Sequence, residues 1–134
     1  MRTIPQLLAA ARTIAVVGMS IDETKAAHRI PAELVRVGYR VIPINPNHSE
    51  ILGLPCLSSL DEIDEPVDIV DVFRPPRYCE AVATDAVRIG AGAIWLQLGI
   101  VSPAARAVAE AGGMDYVEDH CIKVELQRYG IAPS

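Results

Sequence analysis

The sequence predicts an α/β protein: a three-layer, Rossmann-like arrangement of a five-stranded, mainly parallel sheet with helices on both faces. Three observations predict it. Short apolar runs rich in Val and Ile recur along the chain, each followed by a segment with helical apolar spacing. The 134 residues are 51% hydrophobic with one Phe and one Trp, an aliphatic composition that suits strands buried on both faces. The runs also end in Gly, Asn-Pro or Pro-Pro, the punctuation that closes a strand. Alternation of this kind builds right-handed βαβ units around a parallel sheet. The length fits one domain over residues 1–134.

Ile4 to Arg12 reads as a short opening helix, and Thr13 to Val17 as a buried strand ending at Gly18. A polar loop follows. Helical spacing then runs from Ala26 to Val37, with Gly38 as a stop and Pro31 as a source of irregularity in its first turns. Tyr39 to Ile44 is the second strand, closed by Asn45-Pro46-Asn47. The stretch through Gly53-Leu54-Pro55 is loop-like, with a brief helix near Ser59 to Ile63. Val67 to Phe73 is the third strand, stopped by Pro75-Pro76, and Tyr78 to Ile89 a helix. Ala93 to Leu96 is the fourth strand. Ser102-Pro103 starts a helix strongly, a hydroxyl cap followed by Pro where no amide is required, and Gly112-Gly113 end it. Met114 to Val117 is the fifth strand, and Cys121 to Arg128 the last helix.

Composition narrows the function. The formal net charge of −5 argues against non-specific nucleic-acid binding, which needs a basic face to displace counterions. No apolar run reaches the length that spans a bilayer, and the N-terminus lacks the pattern of a signal peptide, so a cytoplasmic location is expected. Three cysteines without CxxC or Cys/His ligand spacing read as reduced thiols.

In open parallel sheets, ligands lie beyond the carboxyl ends of the strands, so four loops carry the candidates. In the first, Gly18 permits a sharp turn and close approach, while the Ser20 hydroxyl, the Lys25 ammonium and the amides at the next helix start could hold a phosphate. It is neither GxGxxG nor GxxxxGK[ST], and an ordinary turn with a solvated Lys25 competes. The second, Asn45-Pro46-Asn47-His48, lacks the acid that usually binds the ribose of NAD. The third joins Phe73, the only phenylalanine, to Arg74 and a rigid Pro75-Pro76 wall. The fourth offers Gln97, Leu98 and Gly99, the amide of Gln97 being able to bond a ligand. Asp68 and Asp71 differ in parity along their strand and do not make an acid–base pair.

Those four segments, in order and each at a strand's carboxyl end, resemble a stand-alone CoA-binding domain protein. The fold is similar to the N-terminal CoA-binding domain of the succinyl-CoA synthetase α-subunit. The resemblance covers about residues 10–128, and Asp119 to Glu125 resembles the family's closing segment. It implies coenzyme A, free or acylated, as ligand. The phosphates would lie near Gly18, Met19, Ser20 and Lys25, and the adenosine near Asn45, Pro46, Asn47 and His48. Phe73, Arg74 and Pro75 would wall the adenosine, with pantetheine passing toward Gln97, Leu98 and Gly99. One departure is Glu23, where many relatives have Pro. The resemblance supplies no reaction, because the synthetases place their catalytic His in further domains; it implies a binding module that acts as a homo-oligomer or with a partner protein. A small NAD(P)-binding enzyme and an interaction subunit without ligand are the alternatives.

Overall fold

The protein is described from a computed structural model, which covers residues 1–133. The first helix, α1 (Ile4–Ala10), is fixed by a reciprocal cap. Thr3 Oγ1 accepts from the Gln6 amide at 3.3 Å, and the Gln6 side chain accepts from the Thr3 amide at 2.9 Å. The chain continues through β1 (Thr13–Val17), α2 (Ala26–Arg36) and β2 (Arg40–Ile44). Two short strands follow, β3 (Glu50–Ile51) and β4 (Leu54–Pro55), then a 3₁₀ turn at Leu60–Glu62. The remainder is β5 (Ile69–Val72), α3 (Pro76–Arg88), β6 (Ala93–Leu96), α4 (Pro103–Ala111), β7 (Asp115–Val117) and α5 (Ile122–Tyr129).

Five strands form one sheet in the order β2-β1-β5-β6-β7, with every neighbouring pair parallel. The expected fold class is therefore observed, and the sheet is wholly parallel. Period-two alternation divides its side chains into two cores. Ala15, Ile42, Val70, Val72 and Ile94 face one way with residues of α3 and α4. Ile14, Val16, Val41, Ile69 and Trp95 face the other, with residues of α1, α2 and α5. Trp95 is fully buried, and its indole N–H donates to the His120 carbonyl at 2.8 Å. Tyr39, whose hydroxyl donates to the Leu8 carbonyl at 2.7 Å, links α1 to the end of α2, and burial pushes its pKa up to about 12.

Three local expectations change. The segment read as loop contains an antiparallel hairpin, with Glu50 opposite Pro55 and Ile51 opposite Leu54. Its two-residue turn has positive φ at both Leu52 (56°) and Gly53 (71°), the backbone that matches strand twist. Next, α3 begins at Pro76 rather than at Tyr78, because the first helical position needs no amide and a second proline is already set for it. Finally, Pro31 lies inside an unbroken α2. Ser102 caps α4 as expected, accepting from the Ala105 amide at 3.1 Å.

The two strand acids separate as their parity requires. Asp68 precedes β5 and accepts from the amides of Arg12 and Thr13 at 2.8 and 2.9 Å. Asp71 is fully buried mid-strand between Val16 and Trp95, with no hydrogen-bond partner of good geometry for either oxygen. Burial raises its pKa well above the usual carboxylate range, against the opposing pull of the Val72 amide. Asp71 therefore holds its proton to higher pH in the folded chain than in the unfolded chain, where it ionises above about pH 4. Its contribution to stability is complete below that pH and is lost as pH rises toward the folded pKa. Asp71→Asn should therefore flatten the pH dependence of unfolding above pH 4, by up to about 1.4 kcal/mol per pH unit. Urea unfolding of both proteins from pH 3 to 7 checks this; parallel curves would mean that Asp71 is ionised in the fold.

Candidate functional site

The chain leaves β1 toward β2 on one side of the sheet, while β5 and the later strands extend on the other. That reversal opens a crevice above the carboxyl ends of β1 and β5. A cavity of about 600 Å³ lies there. It is lined by Gly18, Met19, Ser20, Lys25, Asn45, Pro46, Asn47, His48, Phe73, Arg74 and Pro75. A second cavity of about 450 Å³ adjoins it, sharing Ala27, Phe73, Arg74 and Pro75 and adding Gln97 and Leu98. Gly99 borders neither cavity; its amide donates to Asp119 Oδ1 at 2.7 Å.

Gly18 sets how closely two strand ends can approach. Its φ is +83°, and a Cβ there would stand 2.7 Å from the Phe73 carbonyl oxygen. Only glycine meets both conditions. The next residues are held by bonds that begin at a proline. Pro31 has no N–H, so the Ala27 carbonyl four residues earlier loses its helical donor. The Ser20 amide takes that place at 3.1 Å. The first loop is thereby fastened to α2, and His28 Nδ1 adds a contact to the Ser20 carbonyl at 2.8 Å. The Ser20 amide is thereby engaged, while the Ser20 hydroxyl, the expected phosphate donor, accepts from the Asp22 amide at 3.0 Å and keeps its own proton to donate. Ala26 and Ala27 at the start of α2 lack a side-chain cap, and no acid occupies that first turn.

The second loop is equally constrained. Asn45 Nδ2 donates to the Met19 carbonyl at 2.9 Å, and Asn45 Oδ1 accepts from the Asn47 amide at 2.9 Å. This side chain joins the ends of β1 and β2. Met19, although it lines the cavity, is fully buried in the core. Gln97 Oε1 likewise accepts from Ile122 N at 3.2 Å at the start of α5. Asp22 and Glu23 are exposed, and Asp22 holds Thr24, which keeps its carboxyl below the usual range.

Cations behave differently. Ion pairs among the described residues engage Arg2, Arg36, Arg40, Arg88, Arg106 and Arg128, and neither Lys25 nor Arg74 takes part. The Arg74 guanidinium lies over the Tyr78 ring, 4.1 Å from its centroid, with that of Arg77 at 4.6 Å. Tyr78, Ser58 and Ser59 also line the first cavity, and sequence reasoning missed all three. The first turn of α3 carries Tyr78; the amides of Ser58 and Ser59 both donate to Glu62 Oε1. Cys121 lines the second cavity. Burial pushes the Cys56 and Cys79 thiols up. No cluster of three or more His, Cys, Asp or Glu fit to hold a metal occurs among the described residues. Among the described residues, no helix is long and apolar enough to cross a membrane.

The sheet order and the crevice at its reversal define a Rossmann-like, doubly wound α/β protein. Within that class the chain belongs to the CoA binding domain family, which matches residues 12–127. It is 37% identical over 121 residues to the uncharacterized protein YneT of Bacillus subtilis, covering 90% of each. A hypothetical protein from Pyrococcus horikoshii has a similar structure, with TM-score 0.91 and 30% identity, over 93% of this chain and 88% of that one. A Thermus thermophilus structure is also similar, with TM-score 0.85 and 38% identity, over 93% and 92% respectively. The ADP-forming acetate–CoA ligase of Methanocaldococcus jannaschii is 26% identical over 124 residues, covering 90% of this chain and 16% of the ligase. The family expected from the sequence is borne out.

Two substitutions test the architecture. Gly18→Ala should cost at least about 1–2 kcal/mol from the left-handed backbone alone, with the Phe73 clash added. Thermal unfolding measures it, and an unchanged midpoint would contradict the close approach. Pro31→Ala returns a helical donor to the Ala27 carbonyl. Hydrogen exchange at the Ser20 amide should then quicken about tenfold or more; unchanged protection would break the link between α2 and the loop.

Proposed function

We propose that the chain binds coenzyme A across the crevice as a binding module without chemistry of its own. The observation that carries this reading is the pair Lys25 and Arg74, two cations without acidic partners among the described residues, at one crevice in a chain of net charge −5. Cations left unpaired beside the uncapped start of α2 suit a polyanion. The diphosphate is assigned to Gly18, Ser20, Lys25 and the amides of Ala26 and Ala27. Because the Ser20 amide is engaged, Ser20 would contribute its hydroxyl. The adenosine is assigned to the space between Asn45–His48 and the Phe73-Arg74-Pro75 wall, with Tyr78 as a further flat surface. Asn45 shapes that space and Asn47 and His48 border it. The pantetheine arm runs past Pro75 toward Gln97 and Leu98, and Gly99 acts through the turn it makes. Family membership and similarity to a CoA ligase both support this assignment.

Titration calorimetry with CoA, dephospho-CoA and NAD tests the proposal. CoA should bind, and Lys25→Ala or Arg74→Ala should each weaken it about tenfold to a hundredfold, the range for losing a hydrogen bond to a charged group. The affinity should also fall as salt rises. A flat CoA titration, with heat for NAD, would overturn the proposal.

A further inference from the structure

The second cavity differs in character from the first. Its wall is formed by Ile30 on α2, Phe73 and Ile100, with Leu98 at the edge and 69% exposed. Few polar side chains border it. The Gln97 side-chain oxygen accepts from the Ile122 amide, and the Arg74 guanidinium lies over Tyr78, a residue of the first cavity. What remains for an occupant is mostly hydrocarbon. The cavity is also continuous with the crevice, since Ala27, Phe73, Arg74 and Pro75 border both. A ligand anchored in the first by its phosphates can extend into the second only past this shared wall.

We infer that the second cavity receives an apolar acyl group carried on the sulfur of coenzyme A, so that short-chain acyl thioesters are preferred to free CoA; this rests on the proposed binding of CoA in the first cavity. Free CoA would end there in a small thiol and leave the part of the cavity beyond its pantetheine arm uncovered by apolar contacts. Each buried methylene contributes about 0.8 kcal/mol, about fourfold in affinity, until the cavity is filled. A carboxylate at the end of the acyl chain removes that gain, because Arg74, the cation that borders this cavity, is assigned to the adenosine wall of the first.

Calorimetry with CoA, acetyl-CoA, butyryl-CoA and succinyl-CoA provides the test. Butyryl-CoA should bind about tenfold more tightly than acetyl-CoA, and succinyl-CoA, with the same four-carbon acyl length, should lose that advantage. Two variants locate the gain. Ile30→Trp fills the cavity, and Leu98→Asp sets a charge at its exposed edge without disturbing the core. In each, the ratio of butyryl-CoA to CoA affinity should fall toward one. Equal binding of all four ligands overturns the inference and leaves the CoA assignment standing, as does a ratio that survives in both variants. Failure of every CoA species to bind removes both.

Discussion

The reversal of strand order between β1 and β5 is the constraint on which the rest depends. Two parallel strands lie side by side while their connections depart in opposite directions, so no crossover can cover the space above their carboxyl ends. Gly18 and Phe73 occupy that gap at a spacing that admits no side chain on the glycine. Everything assigned to the site is then a matter of what the adjacent turns present to an opening the topology has already made.

Those turns are rigid because their polar groups are spent on one another. Pro31 would ordinarily be a fault inside a helix. Here the carbonyl it leaves without a donor anchors the Ser20 amide, so a local helical loss becomes a tertiary bond. Asn45 joins the ends of β1 and β2 in a similar way, and Gln97 secures the start of α5. The crevice is thus a preformed frame in which Lys25 and Arg74 are the charged groups left over. That is how an acidic chain can present a positive site: among the described residues six of its twelve cations are held in ion pairs, and the two at the crevice are not.

The sheet was legible because aliphatic runs with clear punctuation admit one period, and the cap at Ser102-Pro103 had a local cause. The hairpin was not, since Leu52-Gly53 carries a weaker turn signal than Asn-Gly and two-residue strands leave no alternation to read. At the site, the sequence exposed which residues stand at strand ends, and nearly all of them border a cavity. It could not expose which donors were already taken. Nothing at Ser20 announces that Pro31, eleven positions later, frees its acceptor. Tyr78 escaped notice because Pro75-Pro76 was read only as a stop, whereas Pro76 starts the helix that brings Tyr78 to the cavity.

Coenzyme A recognition at this frame is most directly tested by following backbone amide resonances as CoA is added. The account predicts that shifts concentrate at Gly18 to Ser20, Lys25 to Ala27 and Phe73 to Tyr78, with the exposed C-terminal end of α4 unmoved. Shifts spread over the acidic surface, or none at saturating CoA, would contradict it.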